Sequence, residues 1–220
     1  MKFVLVWDLP VRLFHWLLVG LVITAWVTAE EGGGWMTWHL WCGYSILTLV
    51  LFRILWGFFG SHYARFSDFI YGPRQVIQYA THLFKPSSPH YIGHNPIGGW
   101  SVVFLLTTLL IQAGTGLFAN DDIATEGPLA SWVTEEISSL LTEIHEINFN
   151  ILLILVGLHL SAILFYRVVK KQNLVLPMIT GRKTISLEDS VTEIAIVSRW
   201  RAIFLLGLVA AGVASLVTFS

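Results

Sequence analysis

Eight histidines and one cysteine carry nearly all the metal-binding chemistry open to this chain of 220 residues. Cys42 alone can form no internal disulfide, thiolate zinc centre or iron–sulfur cluster, and without a Cys-x-x-Cys-His motif there is no covalent haem attachment. Any metal chemistry therefore rests on histidine. Four of the eight stand in or at the ends of long apolar runs: His15 in Leu13-Phe14-His15-Trp16, His39 in Trp38-His39-Leu40-Trp41, His145 in Glu143-Ile144-His145-Glu146 and His159 in Gly157-Leu158-His159-Leu160. Ligand-capable side chains in lipid are costly and mark functional sites by default.

The spacing of these four groups them. Fourteen positions separate His145 from His159, about 21 Å along a helix and about 40° around it, so one helix face presents imidazoles at two depths. His15 lies near the inner end of the first apolar run and His39 near the outer start of the second, which predicts the pairs His15 with His159 and His39 with His145. Opposed imidazoles from facing helices suit bis-histidine ligation of iron in a planar macrocycle. Three other readings compete with it. Each histidine can simply bond a neighbouring helix; zinc would want a third or fourth ligand in each layer; a proton relay would want carboxylates in the middle of the spans, where there are none. Four histidines in two matched layers favour haem.

The elements that must hold these residues follow from composition. Hydrophobic residues make up 55% of the chain and charged residues 12%, which rules out disorder and argues against a water-soluble globule. Five apolar stretches, 11–27, 40–59, 100–118, 147–169 and 202–217, approach or exceed the roughly 17 to 25 residues a spanning helix needs. Backbone amides in lipid must be bonded internally, so the fold class is all-α, an integral membrane helical bundle. Four of the stretches lie in residues 1–171, and 172–220 hold a connector and the fifth transmembrane helix. Asp8 and His15 argue against reading the first stretch as a cleaved secretory signal.

Charge orients the bundle. If the five stretches alternate, all 13 Lys and Arg fall on one side, while the connections 28–37 and 119–146 contain none. By the positive-inside rule the N-terminus is cytoplasmic and Ser220 lies outside. The formal net charge of −1 is thus a cancellation between a basic inner side and an outer side with nine acids. The total gives no basic surface for nucleic acid, whereas the acidic outer side fits a partner docking through a basic patch. Local signals predict a short helix at 75–84, a helix start near Ser131, and either a surface helix or a plain connector at 187–197 behind a Ser186-x-x-Asp189 box.

Near the inner layer, His94 and Asn95 stand at the mouth of the third span, and with Asp8 and Arg12 they supply donors for a quinone head group. Arg12, Arg53 and Arg65 are the residues to neutralise haem propionates, unless they only anchor the inner boundary. His62, His82 and His90 read as solvated loop residues. Glycines 43, 114, 116 and 157 permit close approach of a flat ring or, equally, of another helix.

These residues resemble the bacterial cytochrome b561 and nickel–iron hydrogenase b-type cytochrome family. The matching features are the run from Trp7 through Asp8-Leu9-Pro10-Val11-Arg12 to Phe14-His15-Trp16, His39 with Gly43-Tyr44, Arg53 with Trp56-Gly57, Ala64-Arg65-Phe66, Gly93-His94-Asn95-Pro96, and His145-Glu146 with His159. The resemblance implies two non-covalent b haems with His15, His39, His145 and His159 as axial ligands, in a bacterial inner membrane. It implies electron exchange between the quinone pool and a redox partner such as a hydrogenase or a periplasmic c-type cytochrome. The resemblance implies a four-helix dihaem cytochrome b core in residues 1–171, from which the fifth span in 172–220 departs. A non-redox anchor and a proton-coupled transporter are the other classes these features admit.

Overall fold

The computed structural model describes residues 2–84, 91–121, 125–185 and 197–219. Five helices are long and apolar enough to cross a membrane: α1 (Leu9–Glu31), α2 (Met36–Phe59), α5 (Pro96–Gly116), α6 (Glu135–Val168) and α8 (Arg199–Thr218). Three short helices, α3 (Phe66–Phe69), α4 (Pro73–His82) and α7 (Val175–Thr180), lie between them. Strands β1 (Lys2–Leu5) and β2 (Arg182–Ile185) pair antiparallel, Phe3 opposite Thr184. This is the all-α membrane bundle the composition implies, with one small strand pair added.

Spans α1, α5 and α6 begin where the sequence supplies a side-chain cap, whereas α2 follows Trp35 without one. Asp8 accepts the backbone N–H of Val11 at 2.9 Å, Asn95 that of Gly98 at 2.8 Å and Thr134 that of Ile137 at 3.4 Å. The last of these starts α6 at Glu135, not near Ser131, because Ala130–Trp132 forms only a 3₁₀ turn. The inner-loop helix likewise begins earlier than 75, at Pro73, whose fixed φ suits the first helical position. Between α1 and α2 the chain reverses through Gly32 and Gly33 at positive φ. The Ser186-x-x-Asp189 box and 187–196 lie outside the described residues.

Helices α1, α2, α5 and α6 form the bundle, and α8 packs on the flank of α2. Phe14, Ile46, Leu49, Val50, Leu106, Leu109 and Leu152 make a core drawn from all four bundle helices. Outward faces stay apolar, as at Leu158, Leu160 and Leu164, which suits a lipid surround. With 34 residues, α6 is about 51 Å long, well beyond a hydrocarbon layer of about 30 Å. Its excess lies at the acidic end, where Ser138 Oγ donates to the Phe118 carbonyl at 2.7 Å and Thr142 Oγ1 accepts the Asn120 N–H at 3.0 Å.

The opposite, basic end is closed by the connector after α6. Val6 and Trp7 donate backbone N–H groups to the Gly181 carbonyl at 2.8 and 3.2 Å, and Lys183 Nζ donates to the Tyr91 carbonyl at 2.7 Å. Gly181 sits at φ 80°, where an added Cβ would meet the Trp7 carbonyl at 2.7 Å, so both backbone conformation and space require glycine. Beneath this cover, Trp56 is fully buried and donates its indole N–H to Asp8 Oδ2 at 2.9 Å. Asp8 thereby caps α1 and ties it to α2. Asp8→Ala removes the cap and orphans a buried indole N–H, at a cost of about 3 kcal/mol; the midpoint of thermal unfolding in detergent falls accordingly, and falls less for Asp8→Asn, which keeps one acceptor.

Candidate functional site

The bundle brings the four span histidines together as two pairs. His15 of α1 faces His159 of α6 with ring centroids 6.4 Å apart and ring planes at 51°. His39 of α2 faces His145 of α6 at 6.2 Å and 77°. The pairs lie at opposite ends of α6's membrane segment, one toward the basic end and one toward the acidic end.

At the acidic end both imidazoles are fixed by a neighbouring helix. His39 Nδ1 lies 2.8 Å from the Ala25 carbonyl of α1, and His145 Nδ1 lies 2.9 Å from the Gln112 carbonyl of α5. A carbonyl only accepts, so each Nδ1 carries the proton and each Nε2 keeps its lone pair. The Gln112 anchor is itself braced: Asn148 Nδ2 donates to Gln112 Oε1 at 2.6 Å and to the Thr108 carbonyl at 3.0 Å. Gly116 leaves room for the His145 ring, since a Cβ there would stand 2.9 Å from His145 Cε1. Gln112 and Asn148 escape sequence reasoning, although a buried amide pair inside two apolar runs was a readable signal.

The basic-end pair has a different setting. His15 Nδ1 is buried with no hydrogen-bond partner among the described residues. On α2, Arg53 stands fourteen residues after His39, which places it at the depth of the basic-end pair just as the same step carries His145 to His159. Arg53 is 3% exposed, its Nη1 has no partner among the described residues, and its guanidinium lies 5.6 Å from the Phe66 ring centre. An interior cation left with a free donor is costly unless an anion or acceptor completes it.

The other polar candidates divide by how fully they are engaged. Asp8 has both oxygens committed, to Val11 and Trp56. Asn95 caps α5 and donates to Tyr166 Oη at 2.8 Å, and Tyr166 Oη lies 2.6 Å from Tyr79 Oη. These tyrosines bind α4, α5 and α6 at the basic end, a role with no short-range sequence signal. Arg12 donates to the Ile179 carbonyl and so holds α7. Arg65 pairs with Asp68 at 2.9 Å and touches His62, near the surface. His94 remains, its ring between Trp7 and Phe69 at 4.6 Å from each and its Nδ1 buried without a partner among the described residues. Burial first, then the charge of Arg53 and the nearness of His159, push its pKa down to about 3.

The donor set is imidazole nitrogen in opposed pairs; among the described residues no cluster of three or more His, Cys, Asp or Glu could hold an ion. Such pairs suit an iron macrocycle better than a tetrahedral zinc ion. Comparison with known proteins points the same way. The family model described as prokaryotic cytochrome b561 matches residues 6–181. A probable Ni/Fe-hydrogenase B-type cytochrome subunit of Rhodobacter capsulatus is 25% identical over 82% of this chain and 81% of that protein. A probable superoxide oxidase CybB of Yersinia pestis is 26% identical over 77% of this chain and 93% of that protein. A second probable hydrogenase cytochrome subunit, from Rhizobium leguminosarum bv. viciae, is 23% identical over 82% and 88%. No solved structure matches.

The setting of His94 makes stability depend on pH. The folded chain keeps this imidazole neutral down to about pH 3, whereas the unfolded chain takes up the proton below about pH 6.5. Stability from this group is therefore complete above pH 6.5 and declines as pH falls toward 3, by about 2 kcal/mol at pH 5. Melting curves in detergent between pH 7.5 and 5 check this, and His94→Gln flattens that part of the dependence.

Proposed function

Since the chain belongs to the prokaryotic cytochrome b561 family and is a multi-pass membrane b-type cytochrome of electron transfer, we propose that it holds two haem b groups and carries electrons across a bacterial inner membrane. His15 and His159 hold the cytoplasmic haem, and His39 and His145 the periplasmic one. The observation that carries this reading is the spacing of the two imidazole pairs, 6.4 and 6.2 Å between ring centres. Two opposed imidazoles sharing one ion through nitrogen bonds of about 2 Å stand about 6 Å apart at their ring centres. Haem b, when bound, supplies reversible one-electron chemistry at its iron.

The chain's own residues do the rest. Ala25 and Gln112, through their carbonyls, hold His39 and His145 in the tautomer that leaves Nε2 free to ligate. Arg53, whose Nη1 has no protein partner among the described residues, neutralises a propionate of the inner haem. Arg65, already paired with Asp68, assists only from the surface, and Arg12 bonds α7 through one guanidinium nitrogen while its Nε stays buried without a partner among the described residues.

The lipid-side partner is quinone or quinol. A shallow apolar cleft of about 250 Å³, lined by Ile54, Phe66, Ile70, Val103, Leu106, Thr107 and Leu110, opens between α2, α3 and α5, and Phe66 separates it from Arg53. His94 and Arg53 are the polar groups best able to reach a head group near that end. Asp8 and Asn95, with their capping bonds, shape the site's walls.

At the periplasmic end the names of the relatives divide between hydrogenase subunits and a superoxide oxidase. Nine acids and no Lys or Arg in the outer connections would repel a small anion such as superoxide and attract a protein with a basic patch. The partner is therefore a redox protein, a hydrogenase or a c-type cytochrome. Its association weakens steeply between low and physiological ionic strength; binding measured by surface plasmon resonance that ignores salt would remove this docking surface. For the haems themselves, the purified protein contains two per chain by pyridine haemochrome assay. His15→Ala and His159→Ala abolish one and the same haem, and His39→Ala and His145→Ala the other. Retention of both haems in all four variants would overturn the reading.

A further inference from the structure

The two histidine pairs differ in what surrounds them, and the difference has a direction. At the acidic end both imidazoles donate from Nδ1 to helix carbonyls, at 2.8 and 2.9 Å. Such donation makes the other ring nitrogen a stronger base, and a more basic ligand favours the more highly charged, oxidised state of a bound iron. At the basic end His15 Nδ1 has no such acceptor among the described residues, and a cation 3% exposed, Arg53, sits at the same depth. A fixed positive charge in a low-dielectric interior favours the reduced state. The acid facing Arg53 is Asp8, which acts on it through space but makes no ion pair with it within 4.0 Å among the described residues, so it offsets only part of the field of Arg53.

We infer that Arg53 raises the reduction potential of the basic-end site above that of the acidic-end site. The inference rests on the dihaem reading above. Each site gains or loses one electron, and no bond forms or breaks.

An optical redox titration of the purified holoprotein in detergent tests it. The wild type shows two components, and the single-site variants assign them: His15→Ala keeps only the lower, His39→Ala only the higher. Arg53→Gln lowers the higher component by at least a tenfold change in its reduction equilibrium, about 59 mV for one electron, and leaves the lower component in place. Arg53→Lys restores the charge and most of the potential. A merely structural role for Arg53 would change haem content or stability without shifting one potential selectively. The inference is overturned if the basic-end site proves the lower of the two, or if Arg53→Gln moves the lower component or neither. If Arg53→Gln fails to fold, the order of potentials in the His15→Ala and His39→Ala proteins, with the Arg53→Lys titration, decides alone. Two haems with reversed order would remove the inference and leave the dihaem reading intact, whereas a haem-free wild type would remove both.

Discussion

A polar group in lipid must find its partner within the protein, and in this chain that one requirement governs most of the architecture. Lipid tails are as apolar as the side chains facing them, so the hydrophobic effect alone does not draw spanning helices together. What joins them is a small set of interhelical polar contacts: Trp56 to Asp8, His39 to Ala25, His145 to Gln112 and Asn148 to Thr108 and Gln112. Each couples two helices at a defined depth. The same bonds that satisfy these groups also orient the acidic-end imidazoles, so holding the bundle together and aiming these rings are one structural act.

Much of this was legible in the sequence because helical geometry is regular. The fourteen-residue step from His145 to His159 and the opposite depths of His15 and His39 predicted which rings would face each other, and the rings do so within 6.4 and 6.2 Å. The same step from His39 to Arg53 was present in the sequence but reads there as a boundary arginine. Burial separates it from Arg65, which pairs with Asp68 near the surface, and Arg12 differs in bonding Ile179, although its Nε too is buried without a partner among the described residues. Asp8 and Asn95 were read as donors near a ligand, and they prove to be helix caps, a role that any Asp or Asn before Pro-containing helix starts can fill. The pairing of β1 with β2 had no local signal: each strand has four residues, and the partners are nearly the whole chain apart.

Residues 172–185 do more than lead to a fifth span. Through Gly181, Lys183 and the carbonyl accepting Arg12, they fasten β2 and α7 over the basic end of the bundle. The family match, which ends at residue 181, includes α7 and part of that cover. Helix α8 lies against α2, with Val213 beside Leu47 and Ala202 in the cluster around Trp56. It therefore backs the helix that carries both His39 and Arg53, and leaves the histidine-bearing face of α6 to α1, α2 and α5.

The charge pattern that orients the chain in a membrane also acts on whatever electrons it carries. Positive-inside placement concentrates Lys and Arg at one end for reasons of insertion, and the acids collect at the other. The two sets together create a field along the bundle that favours an electron at the basic end. With the basic end inside, as proposed, a membrane potential positive outside opposes movement toward it by about 2.3 kcal/mol per 100 mV for a full crossing. Surface charges are screened within about 8 Å at physiological ionic strength, so they offset little of it at the depth of the histidines. Arg53, buried on α2, is out of reach of the mobile ions that screen a surface charge, and only fixed neighbours such as Asp8 oppose its field. One interior cation can thus do what a surface of many cannot, and its position one histidine-step below His39 puts it where the opposing field must be overcome.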